Sequence, residues 1–163
     1  MADVKLNIDQ WKKFAEAVAT TTDPKRIDEA KSNALRQMAA AYLRAAIKET
    51  PTGARGTVEV NGKEYHIQTE HMRRSWGTGK LERAARDYRM AVTNSASYAS
   101  FVNDGHRQTP GRFVPILGKR LVANFVEGKH ITEIAQAYTE SKAGGIIRRQ
   151  TSELLKGLKN GGK

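Results

Sequence analysis

Four histidines, His66, His71, His106 and His130, are the residues in this 163-residue sequence best suited to acid–base or metal chemistry near neutral pH. Their spacing supports neither. There is no HExxH or His-x-His pattern, and no histidine stands beside a plausible nucleophile. Asp104 and His106, joined by another carboxylate, come nearest to a metal site. Two ligands across a glycine turn fall short of the three or more protein groups a catalytic metal normally needs. The simpler expectation is that His106 and Arg107 cap the helix before them. Glycines occur without GxGxxG, Gly-Lys-Ser or Gly-Lys-Thr, which argues against nucleotide hydrolysis. We therefore expect no catalytic residue, no metal, no cofactor and no enzyme activity.

The charge points to binding. Lys+Arg number 28 against 17 Asp+Glu, a formal net charge of +11, which favours contact with nucleic acid or an acidic protein surface over a neutral partner. The basic pairs Arg73-Arg74, expected on a strand, and Arg148-Arg149, expected on a helix, read as solvated faces. No helix-turn-helix, zinc-finger or stacking-aromatic pattern organises the charge for base readout. With no cysteine, disulfides and thiolate metal sites are excluded. No apolar run approaches the roughly 20 residues of a membrane span, and no signal-peptide stretch opens the sequence. A hydrophobic fraction of 39% and a mean hydropathy of −0.62 are low for a compact globule. Arms or surfaces awaiting a partner are expected.

The elements that must position any site follow from periodicity. Ile8, Trp11, Phe14, Ala15 and Val18 predict a short amphipathic helix within residues 1–22. Pro24 suits a first helical position and opens a long helix to Glu49, which Pro51 and Gly53 end. Thr57 to Val60 and Lys63 to Ile67 flank Asn61-Gly62, a strong hairpin signal; the segment 54–70 reads as an inserted, projecting hairpin. Met72 to Trp76 returns the chain to a sheet, and Tyr88, Met90 and Val92 alternate as a strand. Tyr98, Phe101 and Val102 fall at helical spacing before Asp104-Gly105 breaks the turn. That spacing predicts a short helix with all three side chains in the core above Trp76, where Phe101→Ala would cost about 3–5 kcal/mol. Residues 108–126 form a projecting β-arm: Arg112 to Leu117 and Arg120 to Val126 flank Gly118-Lys119, and Pro115 confines the first run to an edge. Helical spacing returns from Thr132 to about Leu158, with a kink or break expected at Gly144-Gly145. Residues 159–163 read as a flexible basic tail.

The fold class is α+β in a single domain, 1–163: a small, mostly antiparallel sheet packed by a long N-terminal helix and a C-terminal helix, with projecting β-hairpin arms.

Four stretches carry a resemblance. The long helix ending in Thr50-Pro51-Thr52-Gly53, the block Met72-Arg73-Arg74-Ser75-Trp76, the run from Tyr98 to Arg107, and Phe125-Val126-Glu127-Gly128-Lys129-His130-Ile131 with its following helix resemble the tail-completion proteins of long-tailed bacteriophages over residues 28 to 158. In that family the first motif usually runs directly into the second, so residues 54–70 fit an insertion. Asn103-Asp104 stand where the family more often has an acidic and an aromatic residue. The matching motif residues are Arg73, Arg74, Ser75, Trp76, Tyr98, Phe101, Val102, Gly105, His106, Arg107, Gly128 and Lys129. The resemblance implies a structural virion protein of the neck, assembled in the host cytoplasm. It would form a ring, commonly a hexamer, that completes the tail and joins it to the head. Its partners would be copies of itself, a head-completion or connector protein, and a tail-tube or tail-terminator protein, with non-specific contact to phage DNA. Phe113, Val114, Ile116, Leu117, Leu121, Val122 and Phe125 of the arm are the expected subunit or ring interface. The alternative is a non-specific nucleic-acid-binding protein; a metal-dependent nuclease is third.

Overall fold

The computed structural model describes residues 24–52, 57–60, 62–66, 70–84, 87–114 and 118–160. The helix expected within 1–22 lies outside them, as do Ile116 and Leu117 of the arm.

Helix α1 (Pro24–Glu49) presents Ile27, Ala30, Ala34, Met38, Tyr42, Ala45 and Ala46 on one buried stripe. Its many alanines let a second helix, α4 (Ile131–Asn160), approach closely and antiparallel. Tyr42, Ala45 and Ala46 near the end of α1 pack with Ile131 and Ala135 at the start of α4, while Ile27 and Ala30 meet Leu154 and Ile147 at the far end. Each fully buried aliphatic side chain in such a stripe contributes roughly 1.5–3 kcal/mol.

Gly144 and Gly145 neither break α4 nor end it: the helix runs to Asn160, two residues into the expected tail. Two glycines cost about 2 kcal/mol of helix propensity together, and packing on α1 at both ends of α4 offsets that.

The strands are short antiparallel ribbons in place of one continuous sheet. β1 (Thr57–Val60) and β2 (Lys63–His66) form the hairpin read from Asn61-Gly62, with Val60 opposite Lys63 and Gly62 at φ 73°. Helix α2 (His71–Arg74) follows and places Arg73-Arg74 on a helical turn, not on the strand expected for them. β3 (Trp76–Thr78) pairs with β6 (Val92–Asn94), and β4 (Glu82–Ala84) pairs with β5 (Asp87–Arg89). Between those pairs, residues 79–81 oppose only 90–91, so a bulge divides one long ribbon in two. This ribbon lies along α1. Its outer half is fastened there by Asp28, which accepts a short hydrogen bond from the Tyr88 hydroxyl and pairs with Arg83 at 3.2 Å.

Helix α3 (Ala99–Asp104) corrects the core expectation. Val102 packs half-buried against the core, but Phe101 is 57% exposed and Tyr98 is exposed as well. A helix of six residues that touches the core along one line has room inside for one large side chain, and Val102 takes it. β7 (Gly105–Arg107) then pairs with β10 (Phe125–Glu127), and β8 (Phe113–Val114) pairs with β9 (Lys119–Arg120). Together they form the β-arm, in a register that differs from the expected one: Lys119 lies in β9 opposite Val114 and not in a two-residue turn with Gly118, and Phe125 and Val126 pair with Arg107 and His106 and not with the 112–117 run.

Candidate assembly surface

Two joints and one arm account for the motif residues. The first joint is Thr50, 1% exposed just past the end of α1. Its hydroxyl donates to Ala46 O at 2.6 Å and accepts from Trp76 Nε1 at 2.8 Å, while its carbonyl accepts from Arg73 Nη2 at 3.0 Å. Thr50-Pro51 and Met72 to Trp76, separated in sequence, are thus one hydrogen-bonded unit. Ser75 continues it: its Oγ donates to His71 O at 2.7 Å and its carbonyl accepts from Ser95 N. Arg74 is peripheral, an exposed ion pair with Glu70 at 2.7 Å, a type worth under about 1 kcal/mol. Tyr98 faces the same end, its hydroxyl 3.3 Å from His71 Nδ1.

The second joint is where the end of α3 crosses the chain entering α4. Lys129 N donates to Val102 O at 2.9 Å and His130 N to Asn103 O at 3.0 Å. Those amides, not His106 or Arg107, satisfy the last carbonyls of α3. Gly105, at φ 83°, turns the chain into β7 and carries His106 away from the helix end. The crossing admits no side chains: a Cβ on Gly105 would lie 2.5 Å from Val126 O, and one on Gly128 would meet Asn103 O and lie 2.8 Å from Gly105 N.

Asn103 completes this joint. His130 supplies the carbonyl that begins α4, accepting from Ile134 N at 3.0 Å, but its side chain is a poor cap. Asn103 Oδ1 reaches across instead and accepts from Thr132 N at 3.0 Å, so a residue remote in sequence caps the first turn. Glu133 sits in that turn, its carboxyl held below the usual carboxylate range by its own backbone N–H, against a smaller opposing effect of burial. Hydrogen bonds from Thr132 and Asn103 and the charge of His130 lower it further. Sequence alone marks neither Thr50 nor Asn103 as a contact. The signal for Asn103 is a helix-ending Asn-Asp-Gly with no polar cap at the start of the next helix.

The arm rises from this joint. Gln108 N donates to Asn124 O, continuing the β7–β10 ladder. At Gly111, φ 84°, both Gly111 and Arg112 face Leu121, a bulge that twists the tip. Phe113, Val122 and Phe125 are exposed, Val122 to 90%, while Val114 and Leu121 are half-buried. At the base, the His106 ring meets the Phe101 ring edge-on at 5.9 Å, and the Gln108 amide donates to His106 Nε2 at 3.3 Å. His106 therefore has structural neighbours. Among the described residues no three His, Asp or Glu side chains gather as metal ligands, and no helix is long and apolar enough to cross a membrane.

Comparison with known proteins finds a family over the part of the chain that holds the first joint. A family model described as "Bacteriophage HK97-gp10, putative tail-component" matches residues 12–105, more than half of the chain. The matched region holds the Thr50 joint and ends at Gly105, so the arm and α4 lie beyond it, although the motif resemblance extended to residue 158. No curated protein and no solved structure matches the chain. The chain belongs to the HK97-gp10-like family of phage tail-associated structural components.

Proposed function

We propose that the protein forms a ring in the virion neck, of six copies by the family resemblance, that completes the tail end and joins it to the head-side connector. Its neighbours are copies of itself, a head-completion or connector protein on one side, and a tail-tube or tail-terminator protein on the other. The observation that carries this reading is the arm: a two-stranded ribbon whose outer edges have no strand partner among the described residues, bearing exposed Phe113, Val122 and Phe125. Unpaired strand edges beside exposed apolar side chains are surfaces that another chain can complete. A contact between the arm of one copy and a different face of the next is heterologous, the type that closes rings.

The test removes the arm and keeps its base. Deleting Thr109 to Ala123 and bridging with a short glycine-serine turn retains the β7–β10 pairs and the Gly105–Gly128 crossing. The expected product has native circular dichroism, scatters light as a monomer, and fails to join heads to tails in an assembly assay. A shortened chain that still forms rings and joins them would overturn the proposal.

A further inference from the structure

The arm is also one-sided in charge. From Gly105 to Glu127, the span of the arm's strands, the sequence holds Arg107, Arg112, Lys119 and Arg120 against one carboxylate, Glu127, at the base. All four cations are exposed. None has a carboxylate partner among the described residues; Arg120 donates to Gly111 O and lies over the Phe113 ring. The register sets Arg107 opposite Phe125, Arg120 opposite Phe113 and Lys119 opposite Val114. The Phe113–Arg120 and Val114–Lys119 pairs are consecutive, so their cations point to opposite faces of the ribbon. Solvated surfaces of ordinary domains intersperse both signs; above its base, where Glu127 stands opposite Gly105, this ribbon carries one sign on both faces.

We propose that the arm contacts double-helical DNA through its phosphates. A two-stranded ribbon fits the major groove, and cations on both of its faces meet the phosphate rows on the two groove walls. An acidic protein surface would instead ask for cations on one face. Phosphate contact needs no particular base sequence and is read in the salt dependence of binding. The inference does not require the ring, since a single chain presents the whole ribbon.

The experiment is fluorescence anisotropy of the full chain with a short labelled duplex of mixed sequence, titrated across salt. Four phosphate contacts give a slope of log K against log salt of about −3 to −4. Arg107→Gln, Arg112→Gln, Lys119→Gln and Arg120→Gln should each reduce the slope by about one, and the quadruple variant should weaken binding at least about tenfold at low salt. The paired control Arg148→Gln and Arg149→Gln, on the exposed face of α4, should leave the slope unchanged. Circular dichroism checks the fold of every variant, all of the substituted side chains being exposed. A wild-type chain that does not bind the duplex at low salt, or a folded quadruple variant with the wild-type slope, would overturn the proposal. So would a quadruple variant that keeps DNA binding but no longer binds polyglutamate, because the arm would then serve an acidic protein. Retained head–tail joining by a quadruple variant that no longer binds DNA would leave the ring reading standing and the DNA contact confirmed, so the two proposals fail separately.

Discussion

Trp76 Nε1 donates to Thr50 Oγ1 at 2.8 Å, linking the first residue of β3 to the turn that ends α1. The same threonine closes its own helix through Ala46 O and receives Arg73 on its carbonyl. One buried hydroxyl and one carbonyl thereby tie the start of the 76–94 ribbon to the end of the long helix.

Thr50→Val keeps the shape of the side chain and removes both hydrogen bonds of the hydroxyl. The half-buried indole N–H of Trp76 would lose its partner, at a cost of about 1–3 kcal/mol. Thr50→Ser, which retains the oxygen, should lose less than half as much. Denaturant unfolding of the two variants measures the difference, and equal stabilities would show that the hydroxyl is not the link.

Much of this architecture is legible in the sequence because it is periodic. The stripe from Ile27 to Ala46 announces α1, and Asn61-Gly62 announces a hairpin by turn chemistry alone, whereas Gly118-Lys119 marks only the neighbourhood of the second, because Lys119 lies in β9 opposite Val114. The joints are not periodic. Thr50 and Trp76 look like a helix stop and a strand start, and only the fold brings them together. Asn103 reads as a turn residue, whereas its partner Thr132 lies on another element. Phe101 misleads for a related reason: helical spacing gives the face that three side chains share, but not which of them the neck of a six-residue helix turns outward. Gly144-Gly145 does not break α4 because propensity is local and the packing that overrides it is not.

Phe101→Ala should therefore lower stability by less than about 1 kcal/mol, the cost of an exposed ring and one edge-on contact with His106. Met72→Ala, in the buried cluster with Tyr42 and Ile131, should cost about 2–5 kcal/mol. Paired thermal melts give the ranking; a larger loss for Phe101→Ala would place that ring in the core.

Tyr88 links the outer ribbon to α1, and burial, then its hydrogen bond to Asp28 and the Asp28 charge, push its hydroxyl from 10.0 up to about 12, with Arg83 opposing. Burial, with the charge of Glu133 adding to it, takes Tyr42 up to about 12 as well. A raised folded-state value means that the folded chain holds its proton more tightly than the unfolded chain. The resulting stability is complete below pH 10 and is lost as pH rises through about 12. Tyr88→Phe should flatten that alkaline decline without abolishing it, since Tyr42 still contributes. Stability measured across this pH window checks the sign, and an unchanged decline in Tyr88→Phe would sever the link to Asp28.

The glycines should rank by what surrounds them. Gly105→Ala must hold a side chain at φ 83° with its Cβ 2.5 Å from Val126 O, and Gly128→Ala drives a methyl group into the Asn103 carbonyl. Both obstacles are backbone, which cannot swing aside, so each variant must open the α3–α4 crossing and pull Asn103 away from Thr132. Gly111→Ala and Gly118→Ala meet nothing within 4 Å and carry only the strain of positive φ, at 84° and 60°, about 1–2 kcal/mol each. Gly144→Ala and Gly145→Ala also meet open space but lie inside α4, where alanine is the better helix former by about 1 kcal/mol. Unfolding midpoints should therefore fall most for residues 105 and 128, fall moderately for 111 and 118, and rise for 144 and 145. A Gly128→Ala variant as stable as the parent would mean that the crossing is looser than this geometry; a loss at Gly144→Ala would mean that α4 needs its glycines for a bend.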